Sequence, residues 1–247
     1  MWGALAAAGL VLVGGTGLAH AGRAHGEIRP AAARALPVRD ELRTMPAVVH
    51  RHGARLPDSA RVGPLFGTDG HHCTAGVVGE DLILTAAHCA PAGKDFVPGF
   101  HGGHSPYGWW HVMRVYVSPH WTHGEDEDYD VALAQIAPHG KDRLGDVVGY
   151  NDLGFDLGAG VPVTVIGYPS GRSSPVTGQA RATRYNAHQL RVRIRGLAGG
   201  TSGGPWIGPD GEVIGVIGGH EEGGDQDDVS YSVYFGDSVE TLYQAAS

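Results

Sequence analysis

Glycine accounts for 41 of the 247 residues, and from Val62 onward the glycines fall between short runs rich in β-branched and aromatic side chains. Each glycine in a helix interior costs about 1 kcal/mol relative to alanine, so a chain punctuated this often does not sustain a helical bundle. It suits many short strands joined by tight turns. Cys73–Val78, Leu82–Thr85, His111–Ser118 and Asp130–Ile136 read as strands of a first half, and Val161–Tyr168, Gln189–Ile194, Glu212–Ile217 and Val229–Phe235 as strands of a second. Gly-Asp, Asn-Asp and Gly-Pro clusters separate them. Strands this regular and short build barrels or sandwiches. One terminal helix is expected from Asp237, with the Asp237 side chain as its cap and Glu240 completing a capping-box pair.

Three strings carry chemistry. Thr-Ala-Ala-His-Cys ends at His88 and Cys89, Asp-Val-Ala-Leu begins at Asp130, and Gly-Gly-Thr-Ser-Gly-Gly-Pro is centred on Ser202. A serine hydroxyl is a poor nucleophile until an imidazole takes its proton, and the imidazolium that forms needs a buried carboxylate to orient and stabilise it. Among the 15 histidines, His88 is set apart by the apolar run, two alanines and a cysteine around it. Asp130 outranks Glu125, Asp126, Glu127 and Asp128 because Val131-Ala132-Leu133 anchors it at the start of a buried strand. The acidic run reads as a solvated loop; calcium is less favoured because its residues are consecutive and not at alternate ligand spacing. Gly200, Ser202 and Gly204 also fit the nucleophile elbow of an α/β-hydrolase, which needs a helix straight after the serine and then an acid and a histidine downstream. Gly203-Gly204-Pro205 opposes a helix there, and His220 is the one histidine after Ser202.

The order His, Asp, Ser with these neighbours resembles the chymotrypsin/trypsin superfamily of serine endopeptidases, and within it the secreted bacterial branch that includes the glutamyl endopeptidases. The likeness runs from about Val62 to the C-terminus. It implies an all-β fold of two antiparallel six-stranded β-barrels with a short C-terminal helix, one barrel over about 62–150 and the other over about 151–247, with the active site in the cleft between. It also implies roles. His88 would be general base and then general acid, Asp130 would accept a hydrogen bond from the ring nitrogen remote from the serine, and Ser202 would form the acyl-enzyme. The N–H groups of Gly200 and Ser202 would be the oxyanion hole. Activity should then rise with pH around neutrality as the base loses its proton.

Thr201 departs from the animal enzymes, where an aspartate before the serine pairs with the freed N-terminus and switches the site on. Threonine cannot make that ion pair, so either maturation uses other contacts or the oxyanion loop is preformed. The position that holds an aspartate in trypsin-type pockets is Gly196 here, which removes support for Arg or Lys selection. Glutamyl endopeptidases place a histidine on the strand after the serine; this chain has Ile217 there, with His220 beyond it. A roomy, mostly uncharged specificity pocket is therefore expected around Gly196, Leu197, Ile217, Gly218, Gly219 and His220.

A formal net charge of -8 leaves no electrostatic footprint for nucleic acid or an anionic membrane surface. The expected partners are protein or peptide substrates, handled by a monomer without cofactor or metal. The apolar run Leu5–Leu18, closed by Ala19-His20-Ala21, reads as a secretory signal over 1–21, although no Lys or Arg precedes it. It is short for a membrane anchor. Residues 22–61 read as a propeptide or flexible leader, cleaved after Arg61 to leave a peptidase domain over 62–247. Export to an oxidising compartment favours a bond between Cys73 and Cys89, the only cysteines. In the resembling family this pair closes the loop that presents the catalytic histidine, a closure worth roughly 3 kcal/mol.

The pairs His71-His72, His101 with His104, and His120 with His123 read as solvated loops in preference to zinc sites. Trp109, Trp110 and Trp121 read as aromatic packing in preference to a sugar-binding surface. The competing function is a catalytically silent member of the same fold that serves as a secreted binding module.

Overall fold

The alternation of apolar runs and turns becomes thirteen strands and three short α-helices in the structure, a computed structural model that describes residues 56–89, 94–226 and 228–247. The expected signal segment and the leader up to residue 55 lie outside the described residues.

In the first half, β1 (Val62–Gly67), β2 (Gly70–Gly79), β3 (Leu82–Thr85), β4 (Asp95–Phe96), β5 (Trp110–Val117) and β6 (Ala132–Ile136) close in the order β1-β2-β3-β6-β5-β4, every pairing antiparallel. Closure leaves no sheet edge exposed. Leu65, Ala75, Val77, Ile83, Phe96, Trp110, Val112, Ala134 and Ile136 fill the interior, and α2 (Leu144–Val148) plugs one side with Leu144 and Val148. Each such large side chain stabilises the barrel by about 1.5–3 kcal/mol through burial.

In the second half, β7 (Pro162–Gly167), β8 (Val176–Arg181), β11 (Pro205–Ile207) and β12 (Val213–Val216) form a sheet in the order β12-β11-β7-β8. β9 (Thr183–Arg184), β10 (Gln189–Arg193) and β13 (Val229–Val233) form another in the order β13-β10-β9. The two sheets are stitched where β12 meets β13: the Val216 N–H donates to Ser232 Oγ at 2.8 Å and the Gly218 N–H to Tyr231 O at 3.1 Å. Val163, Val165, Leu190, Val192, Trp206 and Ile214 pack between them. The expected all-β class is thus present, with one half closed by a continuous ladder and the other wrapped from two joined sheets. A further apolar cluster runs through the seam, with Val62, Leu84 and Leu133 on one side and Ile166, Tyr168 and Val216 on the other.

The terminal helix α3 (Asp237–Ala246) begins at the expected residue, but its cap is a correction. Gly236 occupies the cap position with no side-chain bond, and Asp237 lies in the first turn, where its charge favours the positive end of the helix dipole. The third helix, α1 (Pro119–Gly124), starts on Ser118, whose Oγ accepts from His120 N at 3.2 Å. Residues 56–61, assigned from sequence to the leader, form the lead-in to β1. Arg61 is buried there, with Nη1 on Asp58 Oδ1 at 2.8 Å and Nη2 on Leu56 O at 3.3 Å.

Candidate active site

Asp130 sits two residues before β6, at the end of the 3-10 turn Glu127–Tyr129, and is fully buried. A buried carboxylate is tolerated only when hydrogen-bonded, and here three donors reach it. Oδ1 accepts from the His88 backbone N–H at 2.9 Å, and Oδ2 accepts from His88 Nδ1 at 2.7 Å and from the Gly219 N–H at 2.8 Å. An ionised carboxylate only accepts, so the Nδ1 atom carries the ring proton and Nε2 is left as a base.

His88 lies in the 3-10 turn Ala87–Cys89 that follows β3. Its side chain is 11% exposed. Cys89 beside it is joined to Cys73 on β2 by a disulfide with the Cα atoms 6.1 Å apart, and Lys94 Nζ donates to Cys89 O at 2.6 Å. A ring nitrogen of His88 and the two sulfurs lie within 4.8 Å of one another, a spacing that suits a metal, but the sulfurs are bonded to each other.

The segment around Ser202 is a tight turn that only glycine permits. Gly200 and Gly203 have φ of +97° and +82°. A Cβ on Gly200 would lie 2.4 Å from Ser170 N, and one on Gly203 would lie 2.1 Å from Thr74 O and 3.1 Å from Ala86 N. The Ser202 carbonyl accepts from the Thr74 N–H at 2.7 Å, and the Gly203 N–H donates to Ile217 O at 2.7 Å. Ala86, two residues from His88, and Gly218, packed on the Asp130 carboxylate, therefore both border the serine turn. Among the described residues the Ser202 hydroxyl has no hydrogen bond to the His88 ring, whose bonded atom is Nδ1.

The family model for the trypsin-like peptidase domain matches residues 73–216, which contain all three of these residues. The chain belongs to that family. A crystal structure of the protease Anisep from Arthrobacter nicotinovorans is 25% identical, with a TM-score of 0.67 over 76% of this chain and 96% of that one. The thermostable serine protease AL20 from an extremophilic microorganism has a TM-score of 0.67 at 23% identity, covering 77% of this chain and 98% of its own. A Glu endopeptidase structure has a TM-score of 0.64 at 18% identity over 80% and 95%. These last two support the fold alone. No curated protein sequence matches the chain.

In the structure the six expected pocket residues divide. Leu197 and Ile217 are buried in the core of the second half. Gly218 and Gly219 back Asp130. Gly196 is exposed with φ +87°, and His220 is partly exposed, its ring against Tyr185 and Tyr231 and its Nδ1 3.2 Å from Glu127 Oε2.

The acidic run is exposed over Glu125–Glu127, as the solvated-loop reading expects, and it also makes tethers that the reading did not foresee. Glu127 Oε1 accepts from the Glu221 N–H at 2.8 Å, and Asp128 Oδ1 accepts from Gln189 Nε2 at 2.6 Å, while Gln189 Oε1 accepts from the His220 N–H at 2.9 Å. The run fastens the turn before Asp130 to the second half. His71 is a correction to its solvated-loop reading: it is buried, its Nε2 donates to Pro169 O at 3.1 Å, and burial pushes its pKa down. Trp110 is buried core and Trp109 packs on Phe66, as read from the sequence.

Sequence reasoning missed Thr74 and Thr85. Both are fully buried, and Thr85 Oγ1 donates to Thr74 O at 2.8 Å. The one available signal was a hydroxyl residue directly after Cys73. Tyr168 was missed as well; burial raises its phenol pKa far above the usual range, and its hydroxyl donates to Phe100 O at 2.8 Å.

Proposed function

We propose that this trypsin-like peptidase is a secreted serine endopeptidase. Its nucleophile is Ser202, its base is His88 and its orienting acid is Asp130. The observation that carries this reading is the buried Asp130 carboxylate bonded to both the backbone and the ring of His88, which fixes one tautomer and one ring orientation beside the serine turn.

The proposed reaction would use that geometry as follows. Nε2 of His88 takes the Ser202 proton as the oxygen attacks a peptide carbonyl, and Asp130 stabilises the imidazolium. The N–H groups of Gly200 and Ser202 receive the developing oxyanion, a donor of this kind typically being worth about 3 kcal/mol. The imidazolium then protonates the leaving amine, and water, activated by the same ring, hydrolyses the acyl-enzyme. Apo sites often hold the serine and histidine apart until substrate closes them, which accommodates the open contact between Ser202 and His88. The proposed pocket takes uncharged side chains near Gly196 and the 217–219 segment. Strict cleavage after Glu, or after Arg and Lys, in a mapped peptide pool would overturn that preference. Secretion is supported by the disulfide, a bond that persists in oxidising compartments.

The open contact also favours a second reading, a silent member of the fold that binds and does not cut. Labelling with a fluorophosphonate separates the two. The endopeptidase reading expects one adduct on Ser202, lost in Ser202→Ala; an unlabelled, inert wild type would establish the silent reading.

A further inference from the structure

We infer that Thr74 is a positioning residue that locks the oxyanion loop in its working shape, so that the site assembles without an ion pair to a newly freed N-terminus. The inference rests on the serine-peptidase reading above and concerns how its loop is held.

Each peptide plane from Gly199 to Gly203 has its own fastening. Ser170 N donates to Gly199 O at 2.8 Å, which in a trans peptide turns the Gly200 N–H to the opposite side. Thr74 Oγ1 donates to Gly200 O at 3.0 Å, and the Thr201 N–H on the same plane donates to Ala198 O at 3.1 Å. Gly204 N donates to Thr201 O at 2.9 Å, which turns the Ser202 N–H away from Gly204. The last plane is held at both ends, by Thr74 N on Ser202 O and by Gly203 N on Ile217 O. Thr74 alone supplies two of these bonds, one from its side chain and one from its backbone.

Its hydroxyl is itself oriented. Tyr168 N donates to Thr74 Oγ1 at 2.8 Å, so the hydroxyl proton is directed to Gly200 O. The residue is fully buried, which shields the bond from bulk solvent. Two observations count against the route used by the animal enzymes. Thr201 turns its Oγ1 back to Ala198 O at 2.8 Å and offers no charge to an ammonium group. Val62, where a new N-terminus was expected, is paired with Gly76 in β1, and its carbonyl accepts from Gly99 N at 3.0 Å.

The test compares wild type, Thr74→Val, Thr74→Ser and Ser202→Ala as full chains. Thr74→Val keeps the shape and removes the hydroxyl. It is expected to lower kcat by about 10²-fold, as loss of one oxyanion donor does, with KM changed less than about threefold. Affinity for a peptide boronate, whose tetrahedral adduct places an oxyanion in the hole, should fall in parallel. Thr74→Ser should restore kcat to within a few-fold. If the valine variant does not fold, Thr74→Ala, which leaves room for a water, is read by the same split between kcat and KM. In the form cleaved after Arg61, mild acetylation of the new N-terminal amine should leave kcat unchanged.

Wild-type kcat and boronate affinity in Thr74→Val, failure of serine to rescue, or loss of activity on acetylation would each overturn the inference while Ser202 labelling still upheld the peptidase reading. A wild type as inert as Ser202→Ala would instead bring down the peptidase reading, and the role of Thr74 with it.

Discussion

The loops that present His88 and Ser202 are fixed by different means. The histidine turn is short, has no glycine, and is tied to β2 by a covalent bond between Cys89 and Cys73. The serine turn has no covalent tie; it depends on left-handed backbone at Gly200 and Gly203 and on a hydrogen bond at every peptide plane. A cross-link acts chiefly by restricting the unfolded chain and says little about which way an N–H points. Oxyanion donors, in contrast, must be aimed to within a few tenths of an ångström. The histidine side is therefore secured against unfolding, and the serine side against misorientation.

The largest test of this contrast removes the proposed reacting groups themselves. Ser202→Ala or His88→Ala should each lower kcat by about 10⁶-fold, and Asp130→Asn, which leaves the carboxamide to favour the wrong ring tautomer, by about 10⁴-fold, all measured on a peptide substrate with melting temperatures recorded alongside. Comparable losses on the two sides would show one reacting unit; a mild His88→Ala would break it. Next comes Gly203→Ala, whose methyl would meet Thr74 O and Thr85 Oγ1 at 2.1 Å in a left-handed backbone. It should cost about 3 kcal/mol or more in chemical denaturation and abolish activity, since the clash falls inside the hydrogen-bonded frame.

Replacing both cysteines, Cys73→Ser with Cys89→Ser, sharpens the comparison from the other side. Stability should drop by about 3 kcal/mol while kcat of the folded fraction stays within a few-fold of wild type. A collapse of kcat at unchanged stability would invert the proposed division of labour. The smallest effect is expected from pH. Burial depresses the His71 pKa from its ordinary value of 6.5, so below about that pH the unfolded chain takes up a proton that the folded chain resists. Stability contributed by neutral His71 is complete above pH 6.5 and is lost as the pH falls. Denaturation midpoints at pH 7.5 and 5 should differ less in His71→Gln than in wild type.

Much of the fold was legible because apolar runs at short intervals leave few alternatives. Leu82–Thr85 appears as read, and Cys73–Val78 and Gln189–Ile194 differ from the observed strands only at their ends. The strands that escaped notice lacked that signal. Val176–Arg181 has exposure alternating along a largely polar sequence, Pro205–Ile207 is three residues long and starts with proline, and Asp95–Phe96 is two residues long. At the candidate site, His88, Asp130 and Ser202 could be nominated because the proposed chemistry is written in their identity. Thr74 did not, because its role comes from two long-range bonds, to Gly200 and Ser202, that no local pattern encodes. The tethers of the acidic run escaped notice for the same reason: its partners Gln189 and Glu221 lie far along the chain.

One detail of β2 has a mechanical consequence. Cys73 holds the turn carrying the proposed base, and the next residue, Thr74, holds the turn carrying the proposed nucleophile. Two adjacent Cα atoms are separated by about 3.8 Å whatever the rest of the molecule does. The turns carrying the proposed base and nucleophile thus share one anchor point on β2, so that a displacement of that strand moves both together.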